Sequence, residues 1–286
     1  MIKEPNKPFD AEDMPETNQS EAVLGLKLMM EEMFNKGLFT APIGHFEKGR
    51  KNHNLSPEYL WSYSRIIEMA NLKPGSKALD AGGSGTPIDY YLAQKGIDVA
   101  CVDQQKGLID WSRETASKMG LKNIDFMQGD MAKNSFPDNY FDAVISVAVL
   151  QLLPVEIKIQ AVKEFARVLK PGGILCLVID FGKSTGGRGK YNGEYYDSRH
   201  NPYKNLKEIQ EYIIDPSGLS LLGNQDLKDK FKVDKGLIRK AMRADFFSGK
   251  SLKRRLAFPY LFFKSPYFNY TFYSLFLTKK KLSKKN

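Results

Sequence analysis

Cysteine is almost missing from this chain of 286 residues: only Cys101 and Cys176 occur, too few for a disulfide scaffold. Histidine is nearly as scarce. His45, His53 and His200 are scattered without ligand spacing, so no zinc or iron site is expected. No run reaches the roughly 18 uncharged apolar residues that a transmembrane helix needs, and the first twenty residues lack the apolar core of a secretory signal. A content of 42% hydrophobic and 27% charged residues excludes a disordered chain. These absences predict a soluble, cytoplasmic protein with a reduced core.

Positive charge is what the chain has in excess, and it is unevenly spread. Of the formal net charge of +10, the segment from Arg239 onward contributes thirteen Lys/Arg and one acid, or +12, which leaves −2 for residues 1–238. Such a cluster attracts anionic partners, including phosphorylated metabolites, lipid headgroups and nucleic acid. A lysine-rich terminus also serves simply as a solvated, frayed end. The aromatic stretch from Phe258 to Phe276 just before it suits either a membrane boundary or core packing around a final strand.

The organisation follows from periodicity. Residues 1–20 are polar and expected to be disordered, and residues 21–72 form a helical cap or lid. Within it, apolar positions predict a helix at 21–36, and Ser56-Pro57-Glu58 opens another that runs to 71. From Lys77, short apolar runs alternate with helical segments: KALDAG, DVACVD, IDFMQG, FDAVISV and GILCLVIDF. Apolar runs without polar alternation, spaced by helices, predict a doubly wound, mostly parallel sheet covered on both faces. Lys170-Pro171-Gly172-Gly173 reads as a stop and turn after the helix at 154–169. A helix at 204–214, a strand in GLSLLGNQ and a last, antiparallel strand in YTFYSLFLT complete a domain over 73–278. Insertions at 182–203 and 226–268 lie on its acceptor side, and 279–286 form a basic tail.

Candidate ligand-binding residues gather at the carboxyl ends of the strands, where an open parallel sheet binds ligands. Asp80-Ala81-Gly82-Gly83-Ser84-Gly85-Thr86-Pro87 follows the first strand, where glycine lets the backbone come close to a bound molecule. Asp103 ends the second strand and can accept both hydroxyls of a ribose. Gly129-Asp130-Met131 ends the third and can meet the edge of an adenine.

Residues 76–181 resemble the class I S-adenosylmethionine-dependent methyltransferases, through ALDAGGSGTPIDYYLAQKGIDVACVDQ, IDFMQGDMAKNSFPDNYFDAVISVAVLQLL and EFARVLKPGGILCLVIDF. The resemblance implies a Rossmann-like, seven-stranded α/β sheet with a helical N-terminal extension and a helical insertion before the last strand. It also implies S-adenosyl-L-methionine as cofactor. Asp80, Gly82, Gly83 and Gly85 would hold its methionine part, Asp103 its ribose, and Asp130 with Met131 its adenine. In the family spacing D-x-G-x-G-x-G, Gly82 matches, while Ser84 and Thr86 stand where the second and third glycines belong. Leu150-Gln151-Leu152 carries no histidine where many small-molecule members have one.

The expected reaction is methyl transfer by in-line displacement to an oxygen of a small molecule, sugar or lipid-linked acceptor, which positioning alone can accelerate strongly. A base is needed only where the acceptor must lose a proton. His200 and Asp180 are the candidate bases. Arg199, Tyr196 and His45 are candidate acceptor contacts, with Arg199 suited to an anionic group. Peripheral contact of the basic C-terminus with a membrane is a further expected partnership. Two alternatives remain: a nicotinamide-dependent reductase, disfavoured because Ile88 stands where G-x-G-x-x-G needs its last glycine, and a non-catalytic anion-binding module. Nucleic acid is not an expected partner, since none of its familiar motifs appear.

Overall fold

The computed structural model of the protein describes residues 2, 4–38, 55, 57–182, 189–191, 194–196, 203–229 and 270–281. The described strands are β1 (Lys7–Pro8), β2 (Lys77–Ala81), β3 (Asp98–Asp103), β4 (Ile124–Gln128) and β5 (Phe141–Val147), then β6 (Leu169–Gly182), β7 (Gly189–Tyr191), β8 (Glu194–Tyr196), β9 (Ser220–Leu221) and β10 (Tyr270–Thr278). The main helices are α1 (Met14–Gln19), α2 (Glu21–Asn35), α3 (Pro57–Ala70), α4 (Pro87–Gln94), α5 (Lys106–Lys118), α6 (Val155–Val168) and α7 (Leu206–Ile209), the last running through a π turn at Gln210–Ile214 to Asp215–Ser217. Among the described residues, no helix is long and apolar enough to cross a membrane.

One sheet organises the molecule, in the order β1-β10-β6-β5-β2-β3-β4, with β9 beside β10. The pairs β2–β3, β3–β4, β2–β5 and β5–β6 are parallel, and β10 is antiparallel to β6. The sheet thus has eight strands instead of the expected seven: β9 falls within the expected GLSLLGNQ, and the additional strand is β1, a two-residue edge pairing too short to leave a sequence signal. The chain leaves β2 first toward β3 and returns on the other side through β5, so the carboxyl end of β2 lies at the switch point where such sheets open a crevice.

Alternation along the strands divides the apolar residues between two cores. Ala78, Cys101, Ile145, Cys176 and Val178 face α2, α3 and α4, while Leu79, Val102, Val144, Leu175 and Ile179 face α6 and the helix at 206–217. The cysteines are free and buried in central strands, as expected. The expected cap is an integral layer: Leu26, Met30, Trp61 and Tyr63, each at most 1% exposed, belong to the first core.

Residues 4–20 correct the expectation of disorder. Lys7 and Pro8 pair with Ser274 and Tyr273 of β10. The Asn6 side chain donates to Leu222 O (2.9 Å) and accepts from Phe276 N (2.7 Å). Arg65 Nε donates to Ser274 Oγ (3.1 Å), its Nη2 to Pro5 O (2.7 Å) and to Glu4 O, and Trp61 Nε1 donates to Asp13 Oδ2 (2.9 Å). Polar residues fold here because their partners are distant parts of the chain.

A second correction concerns residues 170–173. They do not end in a turn ahead of the strand but form an irregular start of β6: Phe141 pairs with Leu169, whereas Ala143 pairs with Ile174. Gly172, at φ +84°, absorbs the extra residues, and its N–H donates to Lys279 O at 2.8 Å. Lys279 is likewise no free tail residue. Its Nζ donates to Ala166 O and Leu169 O (2.8 and 2.9 Å), capping the carboxyl end of α6. The insertion at 226–268 lies, from residue 230, outside the described residues, as do residues 282–286 of the tail.

Candidate active site

The first strand of the parallel series ends in a turn whose glycines each answer a separate demand. Gly82 and Gly85 adopt φ +85° and +87°, a region costly for other residues. Thr86 N donates to Gly83 O at 2.9 Å, closing a four-residue turn with Gly85 third, the position where a type II turn needs positive φ. Gly83 is required by space: a Cβ there would lie 1.8 Å from Asp80 Oδ2. A Cβ on Gly82 would lie 2.8 Å from Met131 Cε and from Val149 Cγ1. The displaced glycine spacing is therefore built for this loop, with Pro87 opening α4 immediately after it.

Backbone contacts draw the neighbouring strand ends to the same place. Gly82 N donates to Val102 O (2.7 Å) and Gly129 N to Asp103 O (3.0 Å). Ser146 Oγ donates to Ala81 O (2.9 Å), fixing β5 against the end of β2. Asp103 is 8% exposed and accepts from Gln105 N through Oδ1 at 2.8 Å. Burial raises its carboxyl above the usual range, and the N–H groups of Gln105, Ser84 and Gln104 oppose that shift. Asp130 Oδ1 accepts from Ala132 N at 2.8 Å, a local turn that holds Met131 over Gly82.

Strand alternation puts Asp80, Asp103 and Asp180 on one face, the face covered by α2, α3 and α4. Asp80 is opposite Ile145, which is opposite Cys176, so Asp180 stands four residues nearer the carboxyl rim. It is 1% exposed, and its backbone oxygen accepts from Tyr203 N at 2.8 Å. Next to it on β10, Phe272 meets Tyr59 of α3 edge-on, with ring centroids 4.9 Å apart. Tyr196 lies on β8 opposite Gly189. His45, Arg199 and His200 fall outside the described residues.

Sequence reasoning missed Asp89 on α4 and the hydroxyls of Ser84 and Thr86, all buried beneath the turn. An acid in the first turn of a helix reads as an ordinary response to the helix dipole, so Asp89 carried no separate signal. Thr86, which precedes α4, makes no capping bond; its Oγ1 donates to Asp80 Oδ2 at 3.2 Å instead. Among the described residues, no three His, Cys, Asp or Glu side chains are placed to hold a metal ion.

These residues fit the cofactor implied by the sequence resemblance. The backbone is bare where a nucleoside-linked amino acid must approach closely, and Asp80 Oδ1 is buried without a donor among the described residues. Asp103 ends the adjacent strand β3, a carboxylate beside the turn, and Met131 with Val149 places apolar side chains beside Gly82.

Comparison with known proteins agrees. The family described as "Methyltransferase domain" matches residues 79–177. The ubiquinone/menaquinone biosynthesis C-methyltransferase UbiE of Pseudomonas syringae pv. tomato is 30% identical over 183 residues, covering 60% of this chain and 69% of that protein. Phosphoethanolamine N-methyltransferase 3 of Arabidopsis thaliana is 34% identical over 121 residues, which span 42% of this chain and only 24% of the plant protein. Among solved structures, phosphoethanolamine N-methyltransferase 2 of Haemonchus contortus, in complex with S-adenosyl-L-methionine, shares the fold at a TM-score of 0.60 and 17% identity. That match covers 94% of this chain and 60% of the other. The glycine turn, the acids on successive strand ends and these matches together place the chain in the class I S-adenosylmethionine-dependent methyltransferase family.

Proposed function

We propose that the protein transfers a methyl group from S-adenosylmethionine to a small-molecule acceptor by direct in-line displacement. One observation carries the reading: Asp80, the Gly82–Gly85 turn, Asp103 and Met131 converge at the switch point of the sheet, with each glycine there required by backbone geometry or by space. The bound cofactor supplies an electrophilic methyl on a sulfonium. Asp80 and the bare turn hold its amino-acid end, Asp103 accepts the ribose hydroxyls, and Met131 packs against the adenine.

The acceptor approaches from the carboxyl rim, on the face where Asp180 and Tyr59 lie. Asp180 is the described candidate to take a proton from a hydroxyl acceptor, the expected atom being oxygen. His200, Arg199, Tyr196 and His45 belong to the segments that complete this side in the proposal. The two relatives named above are a C- and an N-methyltransferase, so carbon and nitrogen acceptors enter the test beside oxygen. A peripheral membrane contact of the basic C-terminal segment is a further part of the proposal, supported by its charge of +12.

The test combines calorimetry with a transfer assay. The chain should bind S-adenosylmethionine and its demethylated product, and Asp103→Ala should weaken both by about 10- to 100-fold, the weight of hydrogen bonds to a charged group. Labelled methyl should then appear on one of three acceptors supplied separately: phosphoethanolamine, a quinone precursor or a hydroxylated metabolite. Binding of NADH instead of the methyl donor would replace this reading with the reductase.

A further inference from the structure

Beneath the glycine turn lies a carboxyl pair that cofactor binding by Asp80 alone does not explain. Asp89, in the first turn of α4, is fully buried, and neither of its carboxylate oxygens has a hydrogen-bond donor among the described residues. Asp80, 1% exposed, lies within hydrogen-bonding reach of it. Thr86 Oγ1 supplies one donor to Asp80 Oδ2, while Asp80 Oδ1 has none. The ionisable groups that face the pair are Tyr63 on α3, Tyr90 on α4, and Cys101 and Asp103 on β3. None is a cation.

Two adjacent carboxylates cannot both remain ionised in a dry site with no compensating charge. A single proton between them relieves the repulsion and provides the missing donor. Its place follows from the neighbours: Asp80 already receives the Thr86 hydroxyl, whereas Asp89 faces only the thiol of Cys101, a much weaker donor. We propose that Asp89 is a positioning residue of the cofactor site: it keeps a proton and donates it to Asp80, which thereby stays a carboxylate, held under the bare backbone of Gly83.

Burial pushes both carboxyls upward, and Asp89 rises well above the usual range because Asp80 adds its charge. The hydrogen bond from Asp89 acts on Asp80 in the opposite sense and favours its anion. The consequence rests on the cofactor reading above: an ionised Asp80 complements the positive charge at the methionine end of S-adenosylmethionine, and a protonated Asp80 does not.

The experiment uses the full chain and two substitutions. In the ligand-free protein at neutral pH, difference infrared spectroscopy between wild type and Asp89→Asn should show a protonated-carboxyl carbonyl band that belongs to the wild type alone. Asp89→Asn, whose amide still donates to Asp80, should retain affinity for S-adenosylmethionine within about threefold by calorimetry. Asp89→Ala, which removes the donor, should lose about tenfold or more. A wild-type spectrum without that band overturns the proposal and needs no variant to fold. Equal losses in Asp89→Asn and Asp89→Ala overturn it as well, since the carboxylate itself would then be required. Should wild type fail to bind the cofactor, the proposed function falls, while the infrared band still decides where the proton lies.

Discussion

Lys158 on α6 is a cation where the chain offers almost no water: it is 3% exposed, with its Nζ 4.9 Å from the centre of the Tyr203 ring. The ring face compensates for part of the lost hydration. Desolvation nevertheless dominates and lowers its ammonium from 10.5 to about 8, against an opposing pull from Glu208. The sign follows from proton counting. Between pH 8 and 10.5 the unfolded chain holds a proton that the folded chain has released, so stability rises with pH through that window. Below pH 8 the burial penalty is present in full. Lys158→Met should therefore be more stable than wild type at pH 7, by on the order of 2 kcal/mol, with the gap closing toward pH 10. Denaturant unfolding at the two pH values checks this, and a gap that stays constant or widens would show that Lys158 is not a buried cation.

Single residues also mark what a sequence can carry by itself. The placement of Asp80 and Asp103 at strand ends, and of Gly82 and Gly85 in the turn that follows the first of them, is legible because the demands are local: an acid at a strand end, a positive φ. The reason for Gly83 was not legible, since it lies in the carboxyl of Asp80 folded back beneath the turn. Asp89 was invisible for a related reason, as its meaning depends on a partner contributed by another element.

At the scale of elements, the parallel core could be read nearly residue by residue. The helices expected at 21–36, from Ser56-Pro57-Glu58 to 71 and at 154–169 are α2, α3 and α6 within one or two residues. The N-terminal segment could not be read, because Asn6 bonds Leu222 and Asn224 and Lys7 pairs with Ser274, all more than 200 residues away. Arg65 joins these pieces. Burial lowers its guanidinium to about 10, still charged at neutral pH, and it serves Ser274, Pro5 and Glu4 together. Arg65→Ala removes the donor to Glu4 O and to the Ser274 hydroxyl and leaves Pro5 O with that of Ser274 Oγ alone, at an expected cost of about 2–4 kcal/mol. The loss should be directional: amide exchange at Phe9, whose N–H donates to Phe272 O at 2.7 Å, should accelerate well beyond exchange in β2 and β3. Uniform acceleration would mean that β1 is no separate latch and that the damage is to the core as a whole.

For the whole molecule, the decisive point is that the candidate cofactor site and the N-terminal helices share one core. Trp61, Tyr63 and Met30 pack in the same cluster as Ala78, Cys101 and Ile145, the residues that carry β2, β3 and β5 up to the site. A ligand held at the ends of β2, β3 and β4 therefore stabilises more than the loops it touches. Whatever binds only the folded chain adds about 2.7 kcal/mol at a hundredfold excess over its dissociation constant. For a domain of this size, 1 kcal/mol moves the melting midpoint by roughly 2–4 °C. S-adenosylhomocysteine at that excess should raise the midpoint by on the order of 5–10 °C, with one calorimetric transition before and after addition. Two transitions, of which the ligand shifts only one, would show that α1–α3 melt as a unit of their own, and the shared core would then not couple the cap to the site.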